Sequence, residues 1–280
     1  MKKYKPYIIL NPSTKYHTIK PVKSLEDIID CFWFSWTKYE SEKESLVIPD
    51  NCVDLIFHFD AEDKLVSRDF VGIMSKTEKF LPKKGWKMFG IRFLPYMSKL
   101  FFKLAMNELL DLTVKFGDVI NNNSILKTLN GIEKIPQNRM EIFEIEKMLM
   151  RHLDENGLKL NGTVREIVDY FIDGGINEKV SDISRKFFIS ESHLNRIFKK
   201  EIGLNVKTFI RINRFQKILR AADSKKNADY FDIALENGFF DQSHFIKEFK
   251  YFFNSTPSKI MIDFYNTKPS ELDKIVSEGE

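Results

Sequence analysis

The chain has 280 residues, and its 44 Lys and Arg nearly balance its 40 Asp and Glu, so the formal net charge is only +4. No apolar run is long enough to span a membrane, and the N-terminal residues lack the apolar core of a secretory signal. The two cysteines, Cys31 and Cys52, argue against a disulfide scaffold. These features predict a cytoplasmic protein that does not bind membranes and is long enough for two domains.

The first 94 residues favour β-structure. Aromatic and β-branched residues are concentrated in short segments, and turn-forming Pro, Gly, Asp and Asn separate these segments. The predicted strands are residues 31–36, 46–48, 53–59, 64–73 and 86–94. Many short strands with such turns indicate a sandwich or a small barrel.

Helical patterns follow Pro95, which favours a helix start. The predicted helices are residues 97–104, 116–129, 140–153 and 164–172, with a capped turn at 107–110. The apolar stripe of residues 140–153 is wider than one small β-domain needs. We therefore expect this helix, or residues 97–104, to contact a second subunit in a homodimer. The alternative is that both helices cover the open end of the barrel.

An internal repeat dominates the C-terminal third of the chain. Residues 192–199 read Ser-His-Leu-Asn-Arg-Ile-Phe-Lys, and residues 243–250, 51 positions later, read Ser-His-Phe-Ile-Lys-Glu-Phe-Lys. Each copy has one apolar helical face and one polar or basic face. A shorter helical pattern precedes each copy, with Ser190 and Asp241 as predicted N-caps and Gly238 in the second turn. The repeat predicts two helix-turn-helix units, each with a second helix that suits the DNA major groove.

A long apolar periodicity in residues 205–222 predicts one helix that joins the two units and fixes their separation. The same region is strongly basic, since residues 185–226 contain twelve Lys and Arg but three Asp and Glu. An ordinary solvated helix face would also explain some of this charge. Together with the repeat, however, a basic helical region indicates phosphate binding.

This C-terminal pattern resembles the AraC/XylS family of bacterial transcription regulators. About 80 residues match at the spacing that this family uses, and two positions depart from it, Phe188 in the first turn and Asn254 near the end of the second unit. The matching residues are Ile183, Ser190, Leu194, Arg196, Phe198, Lys199, Gly203, Phe209, Arg214, Leu219, Ile233, Ala234, Gly238, Phe239, Ser243, Phe245, Phe249, Lys250 and Pro257.

The resemblance implies a transcription regulator that binds double-stranded DNA, that contacts RNA polymerase if it is an activator, and that needs no cofactor. Arg196 is expected to pair with guanine, and Ile246 replaces a polar residue in the second unit. The predicted DNA-binding residues are Ser190, Ser192, His193, Asn195, Arg196, Lys199, Lys200, Arg211, Arg214, Asp241, Gln242, Ser243, His244, Lys247 and Lys250.

The N-terminal half resembles the cupin-like domain of an uncharacterised branch of AraC-type regulators. Residues 48–56, 71–72 and 89–95 carry this resemblance, which implies a small β-barrel for sensing a small-molecule effector or for dimerisation. The candidate ligand-binding residues are Asp54, His58, Trp33, Phe57, Trp86 and Phe93. Barrel core is the alternative for each aromatic residue, and a structural hydrogen bond is the alternative for the pair Asp54 and His58.

We thus expect an α+β protein whose cupin-like barrel and following helices precede an all-α domain of two helix-turn-helix units joined by a long helix. The predicted divisions are residues 1–115, a helical linker at 116–160, the DNA-binding domain at 161–267 and an acidic tail at 268–280. No catalytic motif is visible, so an enzyme is not expected. Three alternatives stay open: a DNA-modifying or repair enzyme with an AraC-type module, a cupin-like ligand-binding protein, and a non-specific nucleoid protein. The first lacks a Cys-rich site, and the second lacks a His cluster for a metal.

Overall fold

The computed structural model describes residues 14–40, 44–102, 104–119, 124–157, 159–175, 177–224, 230–239, 241–253 and residue 256. Strands occupy the part before residue 116, and helices follow to residue 253. The predicted α+β class is therefore confirmed. Residues 268–280, for which an acidic tail is predicted, and the matching residue Pro257 lie outside the described residues.

Among the described residues, eight strands form two antiparallel sheets in the N-terminal part. A six-stranded sheet has the order β1-β2-β7-β4-β5-β8, and β3 pairs with β6 in a two-stranded sheet. The strands are β1 (Thr14–Ile19), β2 (Ile29–Thr37), β3 (Ser45–Val47), β4 (Val53–Phe59), β5 (Leu65–Val71), β6 (Glu78–Phe80), β7 (Lys87–Phe93) and β8 (Thr113–Lys115). All five predicted strands are present, whereas β1, β6 and β8 are not among the predictions. Closure of these sheets into a barrel stays a prediction.

The neighbouring strands β4 and β7 bury their odd-numbered positions in the hydrophobic core. Leu55 and Phe57 of β4 face this core, as do Phe89 and Ile91 of β7, and all four are fully buried. Even-numbered positions of β4 point to the opposite side, because side chains alternate along a strand. That second side holds the polar residues Asp54 and His58, which the sheet therefore separates from the core residue Phe57.

Nine described helices follow the sheets or lie at their end. They are α1 (Phe116–Val119), α2 (Ser124–Leu129), α3 (Arg139–Asn156), α4 (Gly162–Ile172), α5 (Val180–Lys186), α6 (Glu191–Ile202), α7 (Val206–Ser224), α8 (Tyr230–Glu236) and α9 (Gln242–Phe253). The predicted helices at 140–153, 164–172 and 205–222 are confirmed as α3, α4 and α7. The single helix predicted at 116–129 is described as α1 and α2, with residues 120–123 outside the described part.

The helix predicted at residues 97–104 is wrong beyond its first turn. A 3₁₀ turn covers Met97–Leu100, and Phe101 and Phe102 follow it without helical structure. Both phenylalanines are buried and pack against Phe93, with ring centroids 5.2 and 5.6 Å from it. Two consecutive side chains that enter one core do not fit the 3.6-residue period of a helix, so tertiary packing overrides the helical pattern here.

Helix α7 forms a common core with both helix-turn-helix units. On one side the Phe209 ring lies 5.8 Å from the ring centroids of Phe171 and Phe198, which belong to α4 and α6. On the other side the Phe215 ring lies 5.6 Å from Phe249 and 4.7 Å from Phe252 of α9. Because one continuous helix contributes to both cores, the two units are held at a fixed separation.

Polar contacts join α7 to the turn before β4. The Asn51 side-chain amide donates to the Phe209 carbonyl at 3.1 Å and to Asn213 Oδ1 at 3.0 Å, and Gln216 Nε2 donates to the Pro49 carbonyl at 2.8 Å. Asn51, Asn213 and Gln216 are all buried. The β-rich part is thus connected directly to the helix that carries both units.

Candidate nucleic-acid interface

The N-termini of α6 and α9 are capped by the two predicted residues. Ser190 Oγ accepts a hydrogen bond from the His193 backbone N–H at 3.3 Å, and Asp241 Oδ1 accepts one from the His244 backbone N–H at 2.7 Å. Each cap satisfies a backbone donor that the first helical turn leaves without an intrahelical partner. Both predictions of a cap are confirmed, and the two caps fix the start of each second helix at equivalent places in the repeat.

Helix α6 separates a buried face from an exposed basic face. Leu194, Ile197, Phe198 and Ile202 are buried against the core. The predicted DNA-binding residues on the exposed face are Ser192, His193, Arg196, Lys199 and Lys200. Arg196 Nη2 lies 3.1 Å from His193 Nδ1, which holds the guanidinium near the N-terminal half of the helix. A bidentate donor at this place suits the O6 and N7 atoms of guanine.

Asn195 does not share this exposed face. Its Nδ2 donates to the Glu191 carbonyl at 3.0 Å, and its Oδ1 accepts from the Val206 backbone N–H at 3.4 Å. The side chain is half-buried at the junction of α6 and α7. Its amide therefore stabilises the start of α7, and contact with a base would require both hydrogen bonds to break.

Helix α9 repeats the amphipathic arrangement of α6. It buries Phe245, Phe249, Phe252 and Phe253, and its predicted DNA-binding residues Gln242, Ser243, Lys247 and Lys250 are exposed. His244 is half-buried, with its ring centroid 4.8 Å from that of Phe239. The exposed set is smaller than that of α6, because His244 is half-buried and Tyr251 stands where α6 has Lys200.

Arg211 and Arg214 lie at the contact between α7 and the second unit. Arg211 Nε is 2.8 Å from Glu248 Oε2, and its guanidinium carbon lies 4.0 Å from the Tyr251 ring centroid. The Arg214 guanidinium lies 5.7 Å from the Phe239 ring, and burial lowers the pKa of this group. Both side chains are half-buried. Arg211 binds α9, Arg214 contacts the turn before α9, and neither lies on the exposed basic face of α6.

The candidate ligand-binding residues of the β-rich part fall into separate groups. Phe57 and Phe93 are in the buried core, whereas Trp33 Nε1 donates to Asp54 Oδ1 at 2.7 Å on the other side of the sheet. His58 Nε2 lies 3.0 Å from Asp69 Oδ2, so His58 and Asp54 have different partners. Trp86 precedes β7 and has the Lys83 Nζ atom 4.8 Å from its ring. The six residues do not line a common site.

Arg92 is the important residue that the candidate set leaves out. Its Nε lies 3.1 Å from Asp54 Oδ1 and 3.7 Å from Asp50 Oδ2, with all three side chains largely buried. Asp54 and Arg92 are direct neighbours on the paired strands β4 and β7. The sequence indicates this ion pair through one acidic and one basic residue within two predicted apolar strands, because charges are seldom buried without a partner.

Burial changes the ionisation of the acidic groups on this side of the sheet. It raises the pKa of Asp50 to about 6, against the opposing effect of the Arg92 charge. Burial also opposes ionisation of Asp69, but hydrogen bonds from His58 and Lys115 hold the pKa of Asp69 below its ordinary value. Asp50 Oδ1 accepts from the Cys52 backbone N–H at 2.9 Å, and this hydrogen bond lies in the turn directly before β4.

The raised pKa of Asp50 predicts a pH-dependent stability. The folded state binds this proton more tightly than the unfolded chain, whose Asp titrates near pH ~4. The stabilisation is thus fully present below about pH 4 and is lost as the pH rises through about 6. Asp50→Asn keeps the acceptor for Cys52 and removes the titration. We expect its melting temperature to exceed that of the wild type more at pH 7.5 than at pH 5; an equal difference at both values would contradict the assignment.

A β-rich N-terminal part is followed by two helix-turn-helix units that share one helix. This arrangement defines a two-part protein whose C-terminal domain is of a DNA-binding type. Residues 183–261 match the family model described as a helix-turn-helix domain, and residues 17–115 match a domain of unknown function (DUF6597). The C-terminal domain is of the AraC type, which confirms the resemblance to the AraC/XylS family.

Several curated proteins are similar to this chain. The probable transcription factor PqrA of Proteus vulgaris is 40% identical over 83 residues, which are 29% of this chain and 66% of that protein. The transcriptional activator PerA of Escherichia coli O127:H6 is 34% identical over 175 residues, 59% of this chain and 58% of that protein. The Msm operon regulatory protein of Streptococcus mutans is 29% identical over 126 residues, 44% of each chain. The matches thus span between 44% and 66% of the relatives' own length.

A solved structure of ToxT from Vibrio cholerae also matches, with a TM-score of 0.44 and 12% identity over 89% of this chain and 98% of the ToxT chain. Within the described part of the chain, no helix combines the length and the apolar character that a membrane crossing requires. The same residues contain no group of three or more His, Cys, Asp or Glu side chains arranged to hold a metal ion.

Proposed function

We propose that this protein is a sequence-specific DNA-binding transcription regulator. The observation that carries the proposal is the pair of capped helices, α6 and α9, whose exposed polar and basic faces are mounted on the single helix α7. Helices of this kind enter the major groove and read base edges with residues near their N-termini. The similarity to curated transcription factors supports the same conclusion.

The β-rich part is proposed to control the DNA-binding domain. The hydrogen bonds of Asn51 and Gln216 connect the turn before β4 to α7, so a change in that turn acts on the helix that carries both units. A small-molecule effector that favours one arrangement of this contact would shift the population of DNA-binding conformations. RNA polymerase is the further partner proposed for an activator.

A homodimer is proposed to form through α3. Met140, Phe143 and Met148 are exposed on this helix, whereas Ile142, Ile145 and Leu149 on its other side are buried. Helix α3 thus buries the apolar residues of one face in the protein core and exposes the apolar residues of the other face. Dimerisation would raise the avidity for DNA without a new kind of contact.

Substitution of Arg196 tests base reading. A binding site is first selected from random duplexes with the wild-type protein, and affinities for this site and for a scrambled duplex are then measured by fluorescence anisotropy. Arg196→Ala should weaken binding to the selected site by about 5- to 150-fold, since a bidentate contact to guanine contributes roughly 1–3 kcal/mol. Binding to the scrambled duplex should change little, because phosphate contacts provide most of the non-specific affinity.

Lys127→Ala is the control, because Lys127 is an exposed cation on α2, outside the DNA-binding domain and outside the proposed dimer helix. It should retain the affinity and the selectivity of the wild type. Full selectivity of Arg196→Ala would refute the base-reading role. Equal affinity of the wild-type protein for selected and scrambled duplexes would instead favour a non-specific nucleoid protein.

A further inference from the structure

The turns of the two helix-turn-helix units have the same backbone. Phe188 N–H donates to the carbonyl three residues earlier, Arg185, and Ile189 N–H donates to the carbonyl five residues earlier, Ser184. Fifty positions later Gly238 N–H and Phe239 N–H make the same bonds, to Leu235 and Ala234. Phe188 and Gly238 are therefore equivalent, and both have a left-handed backbone, with φ of 52° and 86°.

The two residues differ in what this backbone permits. A left-handed conformation suits glycine, and a bulky side chain adopts it only against its own steric preference. Phe188 also gains nothing from burial, because 97% of its surface is exposed, while its neighbours Phe187 and Ile189 are half-buried. Phe188 thus adds backbone strain to the folded state, and its ring does not stabilise that state through packing.

The place of Phe188 relates its ring to the proposed DNA interface. It lies two residues before Ser190, the cap of α6, and so precedes the helical turn that carries the exposed residues Ser192 and His193. Arg185 and Lys186, at the end of α5, are exposed beside the same turn. These cations would hold a phosphate backbone close to the turn, and an exposed ring at the mouth of the major groove can meet an apolar base edge.

We propose that Phe188 is a specificity-determining residue that contacts the C5-methyl group of a thymine at the edge of the first half-site. The methyl group is the apolar feature that distinguishes thymine in the major groove. This assignment rests on the proposed function. The contacts proposed for Arg196 are hydrogen bonds, whereas this contact is apolar. It predicts that the thymine methyl group contributes to affinity only when the Phe188 ring is present, and that the ring contributes only when the methyl group is present.

The experiment combines Phe188→Gly with replacement of each thymine of the selected site by deoxyuridine, which lacks the methyl group. In the wild-type protein one replacement should lower the affinity about fourfold, the effect of returning one methyl group to water. Phe188→Gly should bind the thymine site more weakly than the wild type and should show no further loss with deoxyuridine. Its melting temperature should equal or exceed that of the wild type, because glycine suits this backbone.

Each contrary result has a distinct meaning. A lower melting temperature for Phe188→Gly would show that the ring supports the fold, and wild-type affinity would show that it does not contact DNA. A deoxyuridine effect that persists in the variant would also overturn the thymine contact. Normal DNA binding with lost transcription activation would overturn it in favour of a protein partner. If the wild-type protein binds selectively and Phe188→Gly keeps the same affinity and selectivity, only the assignment of Phe188 is overturned. If the wild-type protein binds without selectivity, the proposed function is overturned as well.

Discussion

A five-base-pair insertion between the two halves of the binding site is expected to reduce the affinity by at least about 1,000-fold, to the level of non-specific DNA. Five base pairs rotate the second half-site by about half a helical turn, to the opposite face of the duplex. One monomer then cannot place α6 and α9 in successive major grooves. Fluorescence anisotropy with the selected site and its insertion variant measures the loss.

The expected loss depends on the rigidity of α7. Its Phe209 packs in the core of the first unit and its Phe215 in the core of the second, so rotation of one unit would break a core of packed aromatic rings. The salt bridge between Arg211 and Glu248 fixes α9 to the same helix. Rearrangement would therefore cost more than the second unit gains by binding.

The matched control replaces the same central base pairs without a change in length, and it should retain the affinity. Unchanged affinity after the insertion would refute the rigid separation. Helix α7 has 19 residues, which corresponds to a length of about 28 Å, whereas one turn of straight DNA separates half-sites by about 34 Å. If the two recognition helices are closer than one turn, the bound DNA must bend toward the protein.

The helical half of the fold was predictable because its determinants are local. Residues 205–222 carry an apolar period that belongs to one helix, and Ser190 and Asp241 cap the helices that follow them. The central strands were equally clear from their β-branched and aromatic content. The edge strand β1 has few apolar residues, and β6 and β8 have only three residues each. Composition therefore did not distinguish these three strands from loops.

The contacts between distant segments could not be read from local patterns. Asn195 has the position of a base-reading residue in α6, yet its amide reaches Val206 because α7 starts beside it. Asn51 reaches Asn213, 162 residues later in the chain. Arg211 belongs to a basic region, and the approach of Glu248 and Tyr251 makes it an internal tie. Each of these roles depends on the tertiary arrangement, whereas sequence patterns report on neighbours within one element.

Arg92→Met is expected to destabilise the β-rich part by about 3–5 kcal/mol, because removing one partner of a buried ion pair leaves an uncompensated charge. The substitution preserves much of the side-chain volume but leaves Asp54 and Asp50 without the guanidinium. All three tryptophans, Trp33, Trp36 and Trp86, belong to this part of the chain, so their fluorescence during urea unfolding reports its stability.

Lys87→Met is the matched control on the same strand. Lys87 Nζ lies 2.7 Å from Asp63 Oδ1, a shorter separation than that between Arg92 and Asp54, but Asp63 is exposed and Lys87 is only half-buried. Water stabilises each charge once the pair is broken, so this loss should stay within about 1 kcal/mol. The double variant Arg92→Met with Asp54→Asn should recover much of the stability, since asparagine keeps an acceptor for Trp33 Nε1 and removes one buried charge. Similar losses for Arg92→Met and Lys87→Met would show that the Arg92 site is solvated, and no recovery in the double variant would show that shape rather than charge determines the loss.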